Sequence, residues 1–235
     1  MAIWVGTSGY NYPEWRGSFY PEKFSAAKML PYYAERLDTV EINYTFYRTP
    51  NAKITEGWAG AVPERFKFTL KAPKRITHIA RLKDCAEPLQ YFVKTAAALG
   101  SKLGVLFFQL PPYMKKDLAV LDEFLDALPG GARAAFEFRH RSWLSDDVYG
   151  RLAAKKLALC VADSEKLSTP VEITADYAYF RLRDEGYTPR DITQWAHTIR
   201  EKTAACRDVF VYFKHEESGT GPEFARLLLD ALKTS

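Results

Sequence analysis

Six ionisable side chains and two amides fall at or near the ends of short apolar runs: Glu41 and Asn43, Lys71, Gln109, Glu137 and Arg139, Asp163, and Arg181. Two carboxylates such as Glu41 and Glu137 can act as acid and base across a substrate, as in glycoside hydrolysis, isomerisation or proton abstraction. Lys71 could form a Schiff base with a carbonyl compound if Arg139 or Arg181 lowered its pKa, or it could simply clamp an anion together with them. Asn43, Gln109 and Asp163 are the residue types that orient a polar ligand. By sign the six charges balance. A structural ion network that plugs the space it occupies is therefore the competing reading.

The elements that must position these groups follow from patterning. Strands are expected at Ile3–Thr7, Thr39–Asn43, Phe66–Lys71, Gly104–Leu110, Ala134–Arg139, Leu157–Asp163, Tyr177–Leu182 and Val209–Lys214, where β-branched and aromatic residues cluster between turn signals. Helices are expected at Ala26–Leu37, Ala52–Ala59, Pro88–Leu99, Leu118–Leu128, Asp146–Lys155, Ile192–Ala205 and Pro222–Lys233. Pro88 suits a first helical position, Gly100 a left-handed exit, and Asp117 an N-cap. Between the sixth and seventh strands, residues Ser164 to Asp176 contain Pro170 and little helical periodicity. The alternation predicts an α/β fold, a single-domain TIM-like (β/α)8 barrel over residues 1–235, with the helix between strands 6 and 7 replaced by a loop.

Residues two apart in a strand share a face. Val40 and Ile42 therefore oppose Glu41 and Asn43, Phe68 and Leu70 oppose Lys71, Phe136 and Phe138 oppose Glu137 and Arg139, and Phe180 opposes Arg181. With the apolar sets under a helix layer, the polar sets line the lumen. Their late positions place them at the C-terminal mouth, where barrel enzymes work. Loops after the strands add aromatic rings, Tyr10, Tyr12, Trp15, Phe19, Tyr20 and Phe24 first, then Tyr44, Phe46, Tyr47, Tyr113 and Trp143. Such rings beside cations suit stacking on sugars or nucleobases, or they roof the barrel as a packed cap.

Other function classes are limited by composition. With 33 basic and 29 acidic residues, the net charge of +4 does not require a polyanionic partner. Cys85, Cys160 and Cys206 lie far apart, outside any CxxC spacing, which fits a reducing cytoplasm. The first residues show no secretion signal, and the apolar run Leu103 to Leu110 is too short to span a bilayer, so no membrane partner is expected. His78, His140, His197 and His215 have no HxH or HExxH spacing, so no metal site or other cofactor is assigned. A divalent cation on Glu41, Glu137 and Asp163 is the unfavoured exception.

The segments Gly6-Thr7-Ser8-Gly9-Tyr10, Glu41-Ile42-Asn43 with Phe46-Tyr47-Arg48, Lys71-Ala72-Pro73 with Thr77-His78, Phe108-Gln109-Leu110-Pro111-Pro112, Glu137-Phe138-Arg139-His140 with Ser142-Trp143, and Ala162-Asp163-Ser164 resemble the YecE-like domain of unknown function family. The resemblance runs nearly end to end. It implies a TIM-like barrel and no established reaction. Many members carry an Asn pair after the last strand, where this chain reads Lys214-His215-Glu216-Glu217 and brings a cation and an imidazole towards the mouth.

The expected function is an enzyme acting on a small polar or phosphorylated, sugar-like substrate. Glu41, Glu137 and Lys71 are the catalytic candidates, and Tyr10, Asn43, Gln109, Arg139, His140, Trp143, Asp163, Arg181, Lys214 and His215 the binding candidates. The alternative is a nucleic-acid or nucleotide-binding protein, which would include an endonuclease IV-like phosphodiester-processing barrel, using the basic and aromatic rim.

Overall fold

Eight parallel strands pair in sequence order and close on themselves, β1 (Ala2–Ser8), β2 (Thr39–Ile42), β3 (Lys67–Lys71), β4 (Leu103–Gln109), β5 (Ala134–Glu137), β6 (Ala158–Asp163), β7 (Tyr177–Leu182) and β8 (Asp208–Phe213). This computed structural model describes residues 1–163, 167–216 and 219–234. Around the barrel lie α1 (Ala26–Ala34), α3 (Ala52–Gly60), α4 (Ala86–Ala97), α5 (Leu118–Ala127), α6 (Asp146–Ala154), α7 (Pro189–Lys202) and α8 (Thr220–Thr234), with a one-turn α2 (Tyr44–Tyr47) above β2. Residues 167–176 carry neither helix nor strand, and Ser164 lies outside the described residues. Among the described residues no helix is long and apolar enough to cross a membrane.

Local causes of the helix ends differ in two places from the sequence expectation. Asp117 does cap α5, its carboxylate accepting the Val120 N–H at 3.2 Å, and Gly100 adopts φ +57°. Pro88 is the third residue of α4 rather than the first, because Ala86 and Glu87 extend the helix back to Cys85. α7 begins earlier than expected, at Pro189, where Thr188 and Asp191 form a reciprocal capping box.

Alternation along the strands divides the interior into two apolar cores. Val40, Phe68, Phe108, Phe136, Phe180 and Val211 face the helices. The lumen holds Val105, Phe107, Ala135, Cys160, Tyr177, Tyr179, Phe210 and Tyr212. These rings form tiers: Trp4 stacks on Phe210 low in the barrel, and Phe107 stacks on Tyr179, which in turn tilts against Tyr212. Hydroxyls buried in the lumen are satisfied, Tyr177 donating to the Ala134 carbonyl at 2.8 Å and Tyr212 sharing hydrogen bonds with Thr39 and Thr69 at 2.7 and 2.8 Å. The floor beneath the polar mouth is thus closed by packed side chains.

At the β1–β2 seam a side chain would not fit. A Cβ on Gly6 would run into the backbone carbonyl of Thr39, the same carbonyl that accepts the Tyr33 hydroxyl at 2.9 Å. Gly6→Ala should therefore destabilise the protein by about 1–3 kcal/mol, the range for overpacking. Chemical denaturation checks it, and unchanged stability would show that β1 can shift away from β2.

Candidate functional site

Arg181 lies on top of the aromatic tiers, its guanidinium carbon 5.2 Å from the centre of the Phe107 ring, with no exposed surface. Its Nε donates to both oxygens of Glu41 at 3.1 Å, and its NH2 group to Oε1 at 3.0 Å. Glu41 is equally sealed. It also accepts the hydroxyls of Ser8 and, at 2.5 Å, of Tyr179. Burial alone would push the Glu41 carboxyl up, but the Arg181 charge and the hydrogen bonds from Arg181, Ser8 and Tyr179 together hold it below the usual carboxylate range. A carboxylate with every lone pair engaged and no path to solvent is a structural anchor, so the expectation that Glu41 exchanges protons with a substrate does not fit its surroundings.

The third arm of Arg181, NH1, reaches Glu137 Oε2 at 3.3 Å. Glu137 is shared with the mouth. Its Oε1 accepts Gln109 Nε2 at 2.8 Å, with Arg183 NH1 at 3.6 Å and Arg139 Nε at 3.8 Å. The same Gln109 amide accepts Lys71 Nζ at 2.9 Å through its oxygen, so the two bonds fix which way the amide points. Lys71 is only 9% exposed, and its ammonium sits 4.5 Å from the centre of the Phe46 ring. Burial, and then the Arg181 charge, lower its pKa to about 8 against opposing pulls from Glu41 and Glu137.

Short elements after the strands build the walls. Asn43 precedes α2 and donates Nδ2 to Ser8 Oγ at 2.9 Å, joining the first and second loops. Thr45 is the buried residue of α2, its hydroxyl within reach of the Ile42 and Lys71 carbonyls, which pins the following Phe46 beside Lys71. A π-helical turn at Arg75–Ile79 presents His78, whose ring meets Phe46 edge-on at 4.9 Å and whose Nδ1 pairs with the Thr77 hydroxyl at 2.9 Å. Burial and the cations Lys71 and Arg139 depress the His78 pKa. The long first loop is mainly a packed roof: Trp15 and Tyr20 are buried, and the Trp15 indole donates to the Glu216 carbonyl of the eighth loop at 2.8 Å.

Of the sequence candidates, Glu41, Asn43, Lys71, Gln109, Glu137, Arg139 and Arg181 come together. Lys214 extends the set at its edge, paired with Glu216 at 3.1 Å. Tyr10 lies to one side, with Asn43, Tyr44 and Trp58 around a separate cavity of about 310 Å³.

Four candidates are placed elsewhere. Asp163 has the opposite strand parity to the lumen residues Cys160 and Ala162, so it points outward and accepts the Tyr187 hydroxyl at 2.8 Å. Glu41, Glu137 and Asp163 consequently do not form a common ligand set. Trp143 is fully buried, stacked on Phe138 with its indole N–H on the Met114 carbonyl at 2.8 Å. His140 spends Nδ1 on Ser142, capping the turn that carries Trp143. His215 turns to the helix layer, 5.0 Å from Phe224, with Nε2 donating to the Asp184 carbonyl at 2.7 Å. Glu217 lies outside the described residues.

Ser8, Tyr179, Arg183, Phe46 and His78 belong to the site although they were not among the catalytic and binding candidates of the enzyme reading. Tyr179 and Arg183 share the face of Arg181 by the same two-residue step, and the nucleic-acid alternative draws on Arg183 as a phosphate contact.

A closed parallel barrel with its charged groups gathered at the C-terminal strand ends is a TIM-like barrel. Within that class the chain belongs to the family described as protein of unknown function DUF72, whose model matches residues 4–235. It is 25% identical to the UPF0759 protein YunF of Bacillus subtilis, over 98% of this chain and 94% of YunF. It is 29% identical to the UPF0759 protein YecE of Escherichia coli K12, over 59% of this chain and 48% of YecE. A DUF72 family protein from Thermotoga maritima superposes with a TM-score of 0.89 at 25% identity, covering 99% of this chain and all of that one. A methyltransferase from Methanosarcina mazei, at 10% identity and a TM-score of 0.56 over 98% of this chain and 94% of that one, shares the fold alone.

The network makes two predictions. Glu41→Gln leaves the Arg181 charge without its main partner and should cost about 3–5 kcal/mol, whereas Glu137→Gln leaves that pair intact and should cost less. Urea unfolding of both variants decides it, equal losses counting against a special role for Glu41. For Lys71, the folded pKa of about 8 lies below its ordinary 10.5, so the unfolded chain holds the proton longer between those values. The penalty of burying the ammonium is complete below pH 8 and is relieved as pH rises. The stability of the wild type relative to Lys71→Met should therefore increase by about 3 kcal/mol between pH 8 and 10.5. A difference that stays flat would place the Lys71 ammonium in solvent.

Proposed function

We propose that this protein is an enzyme whose substrate is a small anion, phosphorylated or carboxylated and sugar-like in size, bound at the C-terminal mouth of the barrel. The observation that carries the reading is a charge imbalance. Among the described residues, Lys71, Arg139, Arg181 and Arg183 converge on Glu41 and Glu137, four cations against two carboxylates. The balanced set expected from sequence lost Asp163 and gained Arg183. Unpaired cations in a partly buried site are costly unless a ligand answers them.

Arg181 is spent on the carboxylates beneath, which leaves Arg139, Arg183 and Lys71 to receive the anion. Arg139 and Arg183 suit phosphate or carboxylate because their planar forks can bind two oxygens at once. Glu137 and Lys71, linked through Gln109, are the groups left for proton transfer, and Glu41 supports them as an anchor. Polar pyranose-like ligands without an anionic group would leave the imbalance unanswered.

A second reading, a nucleotide or nucleic acid, is favoured by the exposed rings Tyr44, Tyr47 and Tyr113 near this rim, on which bases could stack. In that case binding of a short oligonucleotide should fall steeply with salt.

Thermal unfolding tests the main reading. Inorganic phosphate or ribose 5-phosphate at about 100 times its dissociation constant should add roughly 2.7 kcal/mol and raise the midpoint by about 5–10 °C. The doubly substituted Arg139→Gln, Arg183→Gln protein should lose the shift. If ribose shifts the midpoint as far as its phosphate does, an anion is not what the mouth selects.

A further inference from the structure

Lys71 is held in an unusual way for a buried lysine. An ammonium that serves only the fold is best kept with a carboxylate, since a buried charge without a counter-ion is strongly destabilising. Both nearby carboxylates are committed to Arg181, and Lys71 Nζ has instead the neutral oxygen of Gln109 at 2.9 Å. On another side lies the Phe46 ring, held in place by Thr45. The amine is thus nearly desolvated, next to guanidinium groups, and oriented by one amide. Those are the surroundings that keep a lysine amine nucleophilic at neutral pH. They also put an anion-binding pair, Arg139 and Arg183, around the same Glu137 that Gln109 bridges to Lys71.

We propose that Lys71 Nζ condenses with the carbonyl carbon of a small anionic aldehyde or ketone to form an imine at the barrel mouth, the substrate's phosphate or carboxylate resting on Arg139 and Arg183. This rests on the anion-binding reading and narrows it to carbonyl compounds. The nitrogen lone pair attacks the carbonyl carbon, and the C=O π electrons move to oxygen. The carbinolamine then loses that oxygen as water, which carries off the two hydrogens of the amine, and a C=N bond replaces the C=O bond. No oxidant or reductant takes part. The protonated imine is an electron sink, so bonds at the neighbouring carbon break more easily, as isomerisation or carbon–carbon cleavage requires. His78, whose ring meets Phe46 edge-on at 4.9 Å and which feels the Lys71 charge, supplies a titratable ring for the departing oxygen.

Borohydride trapping on the wild-type protein tests this without a variant that could misfold. Glyoxylate and dihydroxyacetone phosphate serve as the carboxylate and phosphate probes, and peptide mass spectrometry locates the reduced adducts. Lys71 should be trapped about tenfold or more faster than the exposed Lys53 and Lys94, and inorganic phosphate should slow its trapping while leaving theirs unchanged. Trapping at Lys71 no faster than at those lysines overturns the imine. If phosphate still raises the melting temperature of the same preparation, the anion-binding reading survives that result. If phosphate has no effect, both fall together.

Discussion

Arg181 is a guanidinium with no exposed surface, set in the middle of a barrel, and the arrangement of the mouth follows from keeping it there. Removing such a group from water is destabilising by several kcal/mol unless its donors are met by well-placed acceptors. Three of its five hydrogen bonds go to Glu41, one to Glu137, and one to Ser8 at 3.1 Å. Tyr179 completes Glu41 from the aromatic tier below. These partners come from β1, β2, β5 and β7, so the ion cluster links strands that are not all neighbours. Closing the barrel and neutralising the cluster are one requirement.

That requirement separates two carboxylates that look alike in the chain. Glu41 is enclosed by three partners, Arg181, Ser8 and Tyr179, and faces the floor. Glu137, held by the remaining arm of Arg181, faces Gln109, Arg139 and Arg183, and through Gln109 it is connected to Lys71. The division yields a rigid base and a responsive upper layer. Above the base, cations exceed carboxylates, and Arg139 and Arg183 are partly exposed there.

Most of the fold was legible because alternation and caps act locally. Parity alone put Lys71, Glu137 and Arg181 in the lumen and the phenylalanines of β3 and β5 under the helices, and the barrel bears this out. The same rule, carried through β6, would have turned Asp163 outward, since Cys160 and Ala162 are its lumen residues. Trp143, His140 and His215 were not legible in that way. They lie beyond the strand ends, where no period fixes a side chain's direction, and contacts distant in sequence decide it: Met114 for Trp143, Phe224 and Asp184 for His215. The one-turn α2 and the π-helical turn that carry Phe46 and His78 were missed because four or five residues show no usable periodicity. The charge imbalance itself could only be seen once Asp163 and Arg183 had been placed.

Arg181 seals Glu41 into the scaffold, whereas Glu137 faces the cations to which the proposed anion would bind. Side-chain carboxyl resonances of the two glutamates, followed by carbon-13 NMR as inorganic phosphate is added, report on each separately. The Glu137 carboxyl should move with phosphate and saturate along with it, while that of Glu41 stays in place. Equal movement of both, or movement of Glu41 alone, would contradict the account.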